Sequence, residues 1–399
     1  MNLMKKEKQS EIKEKKKVDF EEIVQEQDAA AIDEFRCTQI ASLDETALFS
    51  LSSGSTGSSK ATMTSHRAVI NNMIYDDSFA TKDHRVVMWF STLRWITGSL
   101  NILRSIYYCK TQIICDKYEK ELACKLIEKY NIEFVWFQPR LIVNVLKNGL
   151  LRKYHLPSLK RMVLGGNAMK SHLIEALMKA LPHTEILFVY GMSELCGVIS
   201  VQRQDDKIGS VGYVIKNVQM KVVATDTGKT LGPNEVGEFL WKSPYNMTGY
   251  YNNLEVTKKI LDEDGWLRSG DFGYYDENGG VYICDRIVDT IRVSGFMVYP
   301  IEIEDVLLRH PAVLEVAVVR MDNDTVDECP IAFVSKIPGT ELTAKELIKL
   351  VADNLEDYKH LRGGVQFLDE FPRTDTGKIA KKQLRDMAKR FVSDSVLAE

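Results

Sequence analysis

The stretch "SLSSGSTGSSK", residues 50–60, packs serine and glycine into a short run that closes on a lysine. A flexible linker has that composition. So does a loop that binds phosphate through backbone N–H groups, hydroxyls and an ammonium. Context separates the two. The run follows "TALFSLSS" (46–53), which reads as a strand, and precedes "SHRAVINN" (65–72), which reads as a helix with Ser65 as its N-cap. A linker does not join a buried strand to an amphipathic helix, so the stretch reads as a phosphate loop at a strand-to-helix turn. It is not the P-loop of NTPases. Counted from Gly54, that pattern needs Gly at 59 and Ser or Thr at 61, where this chain has Ser59 and Ala61.

Working outward, "HRVVMWFST" (84–92), "TQIICD" (111–116), "EFVWFQP" (133–139), "KRMVLGG" (160–166) and "EILFVYG" (185–191) read as strands. They alternate with "EKELACKLIEKYN" (119–131), "PRLIVNVLKNG" (139–149) and "KSHLIEALMKAL" (170–181), where apolar residues recur at helical spacing. Apolar strands alternating with helices predict an α/β fold, a mostly parallel sheet covered on both faces. After Ser210 the texture changes to glycine-punctuated strands such as "NVQMKVVATDTGKTLG" (217–232) and "VGEFLWKS" (236–243). A smaller α+β stretch follows, with helices at 301–310 and 343–355 and strands at 313–321 and 329–336. The expected organisation is a charged tail (1–32), a large domain (33–285) and a small C-terminal domain (286–399).

Composition narrows the function classes. The chain has 399 residues, 45% hydrophobic and 27% charged, with a net charge of −4, so no broad electrostatic attraction to nucleic acid is expected. Cysteines 37, 109, 115, 124, 196, 284 and 329 form no Cys-x-x-Cys pair and no zinc-type spacing with histidine. No apolar run approaches the ~20 residues of a membrane span. The start "MNLMKKEKQSEIKEKKK" lacks the apolar core of a signal peptide, and "SVLAE" at the end is not a peroxisomal "SKL". The expectation is an intracellular protein, cytoplasmic or peroxisomal.

Five blocks stand in one order: "SSGSTGSSK" (52–60), "GGNAM" (165–169), "YGMSE" (190–194), "SGDFGYYDENG" (269–279) with "DRIVDTIRVSGFMVYPIEIE" (285–304), and "PRTDTGKIAKKQLR" (372–385). Together they resemble the adenylate-forming (ANL) superfamily: acyl-CoA synthetases, 4-coumarate–CoA ligases and beetle luciferases. The resemblance implies a large adenylation domain with a β-rich portion, followed by a small mobile α+β domain. It implies that a small-molecule carboxylic acid and ATP form an acyl-adenylate with Mg²⁺, and that the acyl group then passes to coenzyme A.

The same resemblance assigns residues. Ser53, Gly54, Ser55, Thr56, Gly57 and Lys60 match the loop that holds the β- and γ-phosphates, with Ser59 and Ala61 departing from the family's Pro and Gly. Glu194 matches the Mg²⁺ carboxylate, which otherwise reads as a carboxylate at a helix N-terminus. Ser193 stands for the usual Thr, beside Gly191 and Met192. Gly165, Gly166, Asn167 and Ala168 match the strand end that supports adenine, with Tyr190 stacking on the ring. Asp271 matches the ribose clamp, and Arg286 the base that contacts sugar and phosphates. Lys378 matches the lysine that reaches the α-phosphate and the carboxylate. Trp95, with Gly191, matches the acyl pocket. Arg292 and Gly295 fall on the hairpin that a domain rotation brings in for the thioester step. Val288 replaces the Asp or Lys usual at that pivot.

Relatives carry a long segment ahead of the phosphate loop, where this chain has residues 1–49. That predicts a truncated large domain whose strands at 86–91, 112–115 and 134–138 leave an apolar face or edge bare, or covered by a partner. The alternatives are an impaired or non-catalytic ligand-binding relative and, among enzymes, a luciferase-like monooxygenase.

Overall fold

The computed structural model describes residues 29–52, 60–75, 83–90, 93, 95–115, 118–169, 171–203, 206–322, 328–374 and 378–396. They fall into two units, which divide at Glu45/Thr46. In the first, helix α1 (Ala29–Glu34) leads to a turn in which Glu45 Oε1 accepts the N–H groups of Ala41 and Ser42.

The second unit opens with β1 (Thr46–Ser52) and β2 (Lys60–Ser65), an antiparallel pair in which Ser52 faces Lys60. Residues 53–59, and with them Ser53, Gly54, Ser55, Thr56 and Gly57, lie outside the described residues. The expected strand-to-helix turn is corrected here: the run connects two strands of a hairpin. "KATMTS" becomes a strand because it is held from both sides. Ser50 Oγ and Thr62 Oγ1 are hydrogen-bonded at 2.6 Å, and β12 (Gly249–Tyr250) pairs with Met63 and Thr62 on the other edge. Helix α2 (His66–Tyr75) then starts at Ser65, whose Oγ accepts the N–H of Ala68 at 3.2 Å, as expected of an N-cap.

A seven-stranded sheet follows. Its strands are β3 (Val86–Trp89), β4 (Thr111–Ile113), β5 (Phe134–Phe137), β6 (Arg161–Gly165), β7 (Glu185–Met192), β8 (Gly197–Val201) and β9 (Tyr213–Val214), in spatial order 4-3-5-6-7-8-9. Strands β3 to β7 run parallel, and β8 and β9 are antiparallel. Helices α3 (Ile96–Tyr107), α4 (Lys120–Tyr130), α5 (Pro139–Lys147), α6 (Leu150–Lys153) and α7 (Ser171–Ala180) lie between strands in the chain.

Successive residues of one strand enter different cores, as the period of two requires. Met88, Val135, Phe137, Met162 and Leu164 pack with α4, α5 and α7. Val87, Trp89, Phe134, Trp136 and Val163 pack with α2 and α3. The expected bare face at β3 and β5 is therefore not observed; α2 and α3 cover it. Within the expected 112–115 stretch, Ile114 beside edge strand β4 is 74% exposed, and on β1 the exposed Phe49 meets Tyr251 edge-on.

The β-rich portion is an antiparallel sheet of β10 (Gln219–Val223), β11 (Gly237–Lys242), β13 (Leu267–Tyr275) and β14 (Val281–Arg286), with α8 (Leu254–Ile260) beside β12. Beyond it come hairpin β15 (Ile291–Val293) and β16 (Phe296–Val298), helix α9 (Pro300–Leu308), and a sheet of β17 (Val313–Asp322), β18 (Glu328–Lys336) and β19 (Val365–Phe367). Helix α10 (Ala344–Ala352) starts in a capping box: Thr343 Oγ1 accepts from Glu346 N, and Glu346 Oε2 accepts from Thr343 N. Helix α11 (Lys381–Val396) closes the chain. Residues 291–367 share one apolar core centred on Ile303, Leu307, Val318 and Val334.

Candidate active site

The site assembles where parallel strands end. In open α/β sheets that is where ligands enter, because the loops diverge outside the carboxyl ends. Strand β6 ends on Gly165, where a Cβ would sit 2.6 Å from Val189 Cγ2. Gly166 follows with φ +90°, and Asn167 and Ala168 are exposed. Strand β7 ends on Tyr190, Gly191 and Met192. Gly191 is obligatory for close approach, since a Cβ there would lie 2.1 Å from the Gly197 carbonyl oxygen. The chain then makes a short 3₁₀ turn, Ser193–Leu195, and returns as β8.

That turn buries Glu194. Its Oε1 accepts the Tyr250 hydroxyl at 2.7 Å, and burial with the nearby carboxylate drives the Tyr250 phenol far above its ordinary range, so it stays a donor. Glu194 does sit in the first turn of that 3₁₀ helix, as its alternative reading has it, and its side chain also takes a phenol from β12. Lys60 Nζ lies 5.3 Å from the centroid of the same Tyr250 ring. A carboxylate oxygen is the hard donor that Mg²⁺ takes, so Glu194 could hold that ion. Among the described residues, no group of three or more His, Cys, Asp or Glu is gathered as a metal cage.

Asp271 and Arg286 face each other across β13 and β14. Arg286 Nε is 2.7 Å from Asp271 Oδ1, and the Tyr190 hydroxyl donates to Asp271 Oδ2 at 2.5 Å. Ser269 Oγ accepts the Asp271 N–H at 3.1 Å, across Gly270 at φ +70°. Asp271 is 4% exposed, and burial raises its carboxyl despite the opposing Arg286 and Tyr190. Asp271 in turn holds the Arg286 guanidinium above its ordinary range. Tyr190 rests against Trp241, with ring centroids 5.8 Å apart.

Lys378 comes into this cluster from a loop closed by Thr374 N to Lys378 O at 2.8 Å and Ala380 N to Pro372 O at 2.8 Å. Its Nζ lies 5.9 Å from the centroid of the Trp95 ring. Trp95 Cζ3 lies 3.9 Å from where a Cβ on Gly166 would stand. Burial, joined by Arg286 and opposed by Asp271, pulls the Lys378 ammonium down to about 8. The structure thus brings Gly166, Trp95, Lys378, Asp271, Arg286 and Tyr190 to one place. Arg292 and Gly295 stand apart from it. Arg292 is exposed with its N–H on Glu328 Oε2, and Gly295 with Ser294 forms a positive-φ hairpin turn.

Sequence reasoning passed over Tyr250 and Ser269. Ser269 stands inside a quoted block and was legible as a turn hydroxyl two residues before Asp271. Tyr250 carries no such signal, because its partner lies 56 positions away.

The family model described as AMP-binding enzyme matches residues 2–251, and that described as AMP-binding enzyme C-terminal domain matches residues 302–378. The chain is 33% identical over 88% of its length to a luciferin 4-monooxygenase of Photuris pensylvanica, covering 65% of that protein. It is 31% identical over 89% of its length to 4-coumarate–CoA ligase 3 of rice, covering 66% of it. It therefore spans about two thirds of the length of these relatives. ATP-bound MatB of Rhodopseudomonas palustris superimposes with a TM-score of 0.81 at 25% identity, over 87% of this chain and 69% of that one. O-succinylbenzoate CoA synthetase of Bacillus subtilis, in complex with AMP, gives 0.77 at 25%, over 86% and 70%. A shared order of motifs, a family model across most of the chain and a shared fold make this chain a member of the AMP-binding enzymes, the adenylate-forming (ANL) superfamily.

Proposed function

We propose that the chain is an ATP- and Mg²⁺-dependent acid–CoA ligase that activates a carboxylic acid as its acyl-adenylate and passes the acyl group to coenzyme A. The observation that carries the reading is the placement of the Lys378 ammonium against Trp95, beside the Asp271–Arg286 pair. Asp271, a buried acceptor, takes the ribose hydroxyls. Arg286 and Lys378 set positive charge where the α-phosphate and the attacking carboxylate meet. Adenylation turns on such placement, since attack of one anion on another needs charge neutralised before the transition state. Trp95 and Gly166 wall the acyl side and exclude water. Gly165, Asn167, Ala168 and Tyr190 flank adenine, and Gly191, Met192 and Ser193 line the passage from phosphate to acid. Lys60 and the 53–59 run hold the β- and γ-phosphates. Glu194 holds Mg²⁺, which when bound neutralises charge on the phosphate oxygens. Arg292 and Gly295 serve the thioester step, and a division near residue 285 separates the large domain from the small one.

Acid-dependent ATP–pyrophosphate exchange with a panel of aliphatic and aromatic acids, then thioester formation with coenzyme A, tests the proposal. Exchange with no acid at all would overturn it. A monooxygenase reading shares these residues, and the luciferin 4-monooxygenase relatives favour it enough to test. Oxygen uptake or light with a luciferin, in place of thioester, would select it. Glu194→Gln keeps the side chain's size and its bond from Tyr250 but removes the charge. The half-saturating Mg²⁺ concentration should rise by about tenfold, in keeping with ~1.4 kcal/mol per decade. An unchanged Mg²⁺ titration would remove Glu194 from the metal site.

A further inference from the structure

Opposite charges crowd the segment that begins at Arg286. Asp285 Oδ2 accepts the N–H of Ile301 at the start of α9 at 3.1 Å, and Asp285 Oδ1 accepts the Arg286 N–H at 2.8 Å. Asp289 Oδ1 accepts from Arg385 Nη1 at 2.7 Å. One turn earlier on α11, Lys381 Nζ lies 3.0 Å from Glu304 Oε1, which also accepts the Val318 N–H at 2.9 Å. The Asp289 and Arg385 side chains are each 16% exposed. Burial raises the Asp285 carboxyl to about 6 against the pull of Lys381. Burial would lower the Lys381 ammonium, but Glu304, Asp285 and Asp289 outweigh it and leave it raised.

The arrangement has a direction. Lys381 and Arg385 are four apart, so they project from one face of α11. Asp285 and Asp289 flank Arg286, which is fixed to Asp271. Lys378 stands three residues ahead of Lys381, and its carbonyl accepts from Thr374 N at 2.8 Å and from Thr374 Oγ1 at 3.3 Å. Asp289, whose N–H bonds back to the Arg286 carbonyl at 3.0 Å, thus joins the turn after the sugar clamp to the helix that follows the lysine. We propose that the Asp289–Arg385 pair, backed by Lys381 on Glu304, is a latch of positioning residues that holds the Lys378 ammonium over Trp95 for the adenylation step. This rests on the adenylate-forming reading of the site above.

The test is a charge swap in the full chain with two readouts. Asp289→Arg and Arg385→Asp are made singly and together. Lys378 is labelled with an acetylating reagent and quantified by peptide mass mapping against Lys349, an exposed reference on α10. Each single variant should raise the Lys378/Lys349 labelling ratio at least threefold. Each should also lower kcat of pyrophosphate exchange at least tenfold with little change in KM for ATP. Thioester formation from a supplied acyl-adenylate should stay within about twofold. The double swap should return both readouts to within about threefold of the parent. Arg385→Lys, which keeps the charge, covers the case in which a reversed charge fails to fold, and should fall between parent and single variants. Labelling needs no turnover, so an inactive parent would sink the reading of function and leave the latch testable. Equal labelling in parent and single variants, or a double swap no better than its parts, would overturn the latch.

Discussion

Lys378→Ala is expected to cut acid-dependent pyrophosphate exchange by roughly 10²–10³-fold, the scale of removing one preorganised charge-stabilising donor. Transfer from a supplied acyl-adenylate should be nearly unchanged, because the phosphate charge that Lys378 neutralises has already been resolved there. An interaction made only in the adenylation transition state lowers kcat and kcat/KM together. Equal loss in both half-reactions would withdraw the assignment. The pH profile adds a second check. Lys378 acts as a cation, and burial has lowered it to about 8. In the free enzyme it is charged below that pH and neutral above it. The kcat/KM for ATP should accordingly fall as pH rises through about 8, since that ratio reports the free enzyme. Lys378→Arg should remove this descending limb while keeping part of the rate, because a guanidinium does not titrate there.

Asp271→Asn should raise KM for ATP by about 10–100-fold, or ~1.4–2.7 kcal/mol, around the lower end of what truncating one member of a buried hydrogen-bonded charge pair costs. The substitution keeps an acceptor for Tyr190 but leaves Arg286 without its carboxylate. Arg286 is partly exposed, at 45% of its side chain, so water screens some of the loss and the lower half of the range is expected. Initial rates against ATP concentration measure it, and ATP titration followed by calorimetry gives the matching loss in Kd. A KM within twofold of the parent would show that the clamp does not hold the sugar.

The large sheet was readable from sequence because its strands β3 and β5 are apolar at every position. Trp89, Phe134, Trp136 and Phe137 leave no polar face to place in water. Placing Lys378 and Asp271 in one site rested on quoted blocks and on strand ends, and the geometry brings those residues together. Strand β2 was not legible. "KATMTS" alternates Ala61 and Met63 with Thr62 and Thr64, but over few residues and with the threonines as the buried side, and pairing on both edges holds it as a strand. The same reason hid the Asp289–Arg385 pair, whose members lie 96 positions apart. Contacts between distant segments leave no local period to read.

The pairing of β2 with β12 also sets an order of events on the ribosome. Thr248 and Met63 meet across 185 positions, so β2 cannot be paired on that edge until the β-rich portion has been made. At ~5–20 residues per second the interval is roughly 10–40 s. For that time the outer edge of the β1–β2 hairpin stands open, and an open strand edge is a template for the wrong partner. Synthesis of β12, not local collapse, is therefore the step that closes this part of the molecule. A chaperone or slow translation between residues 63 and 249 would act on yield without touching a single residue of the site.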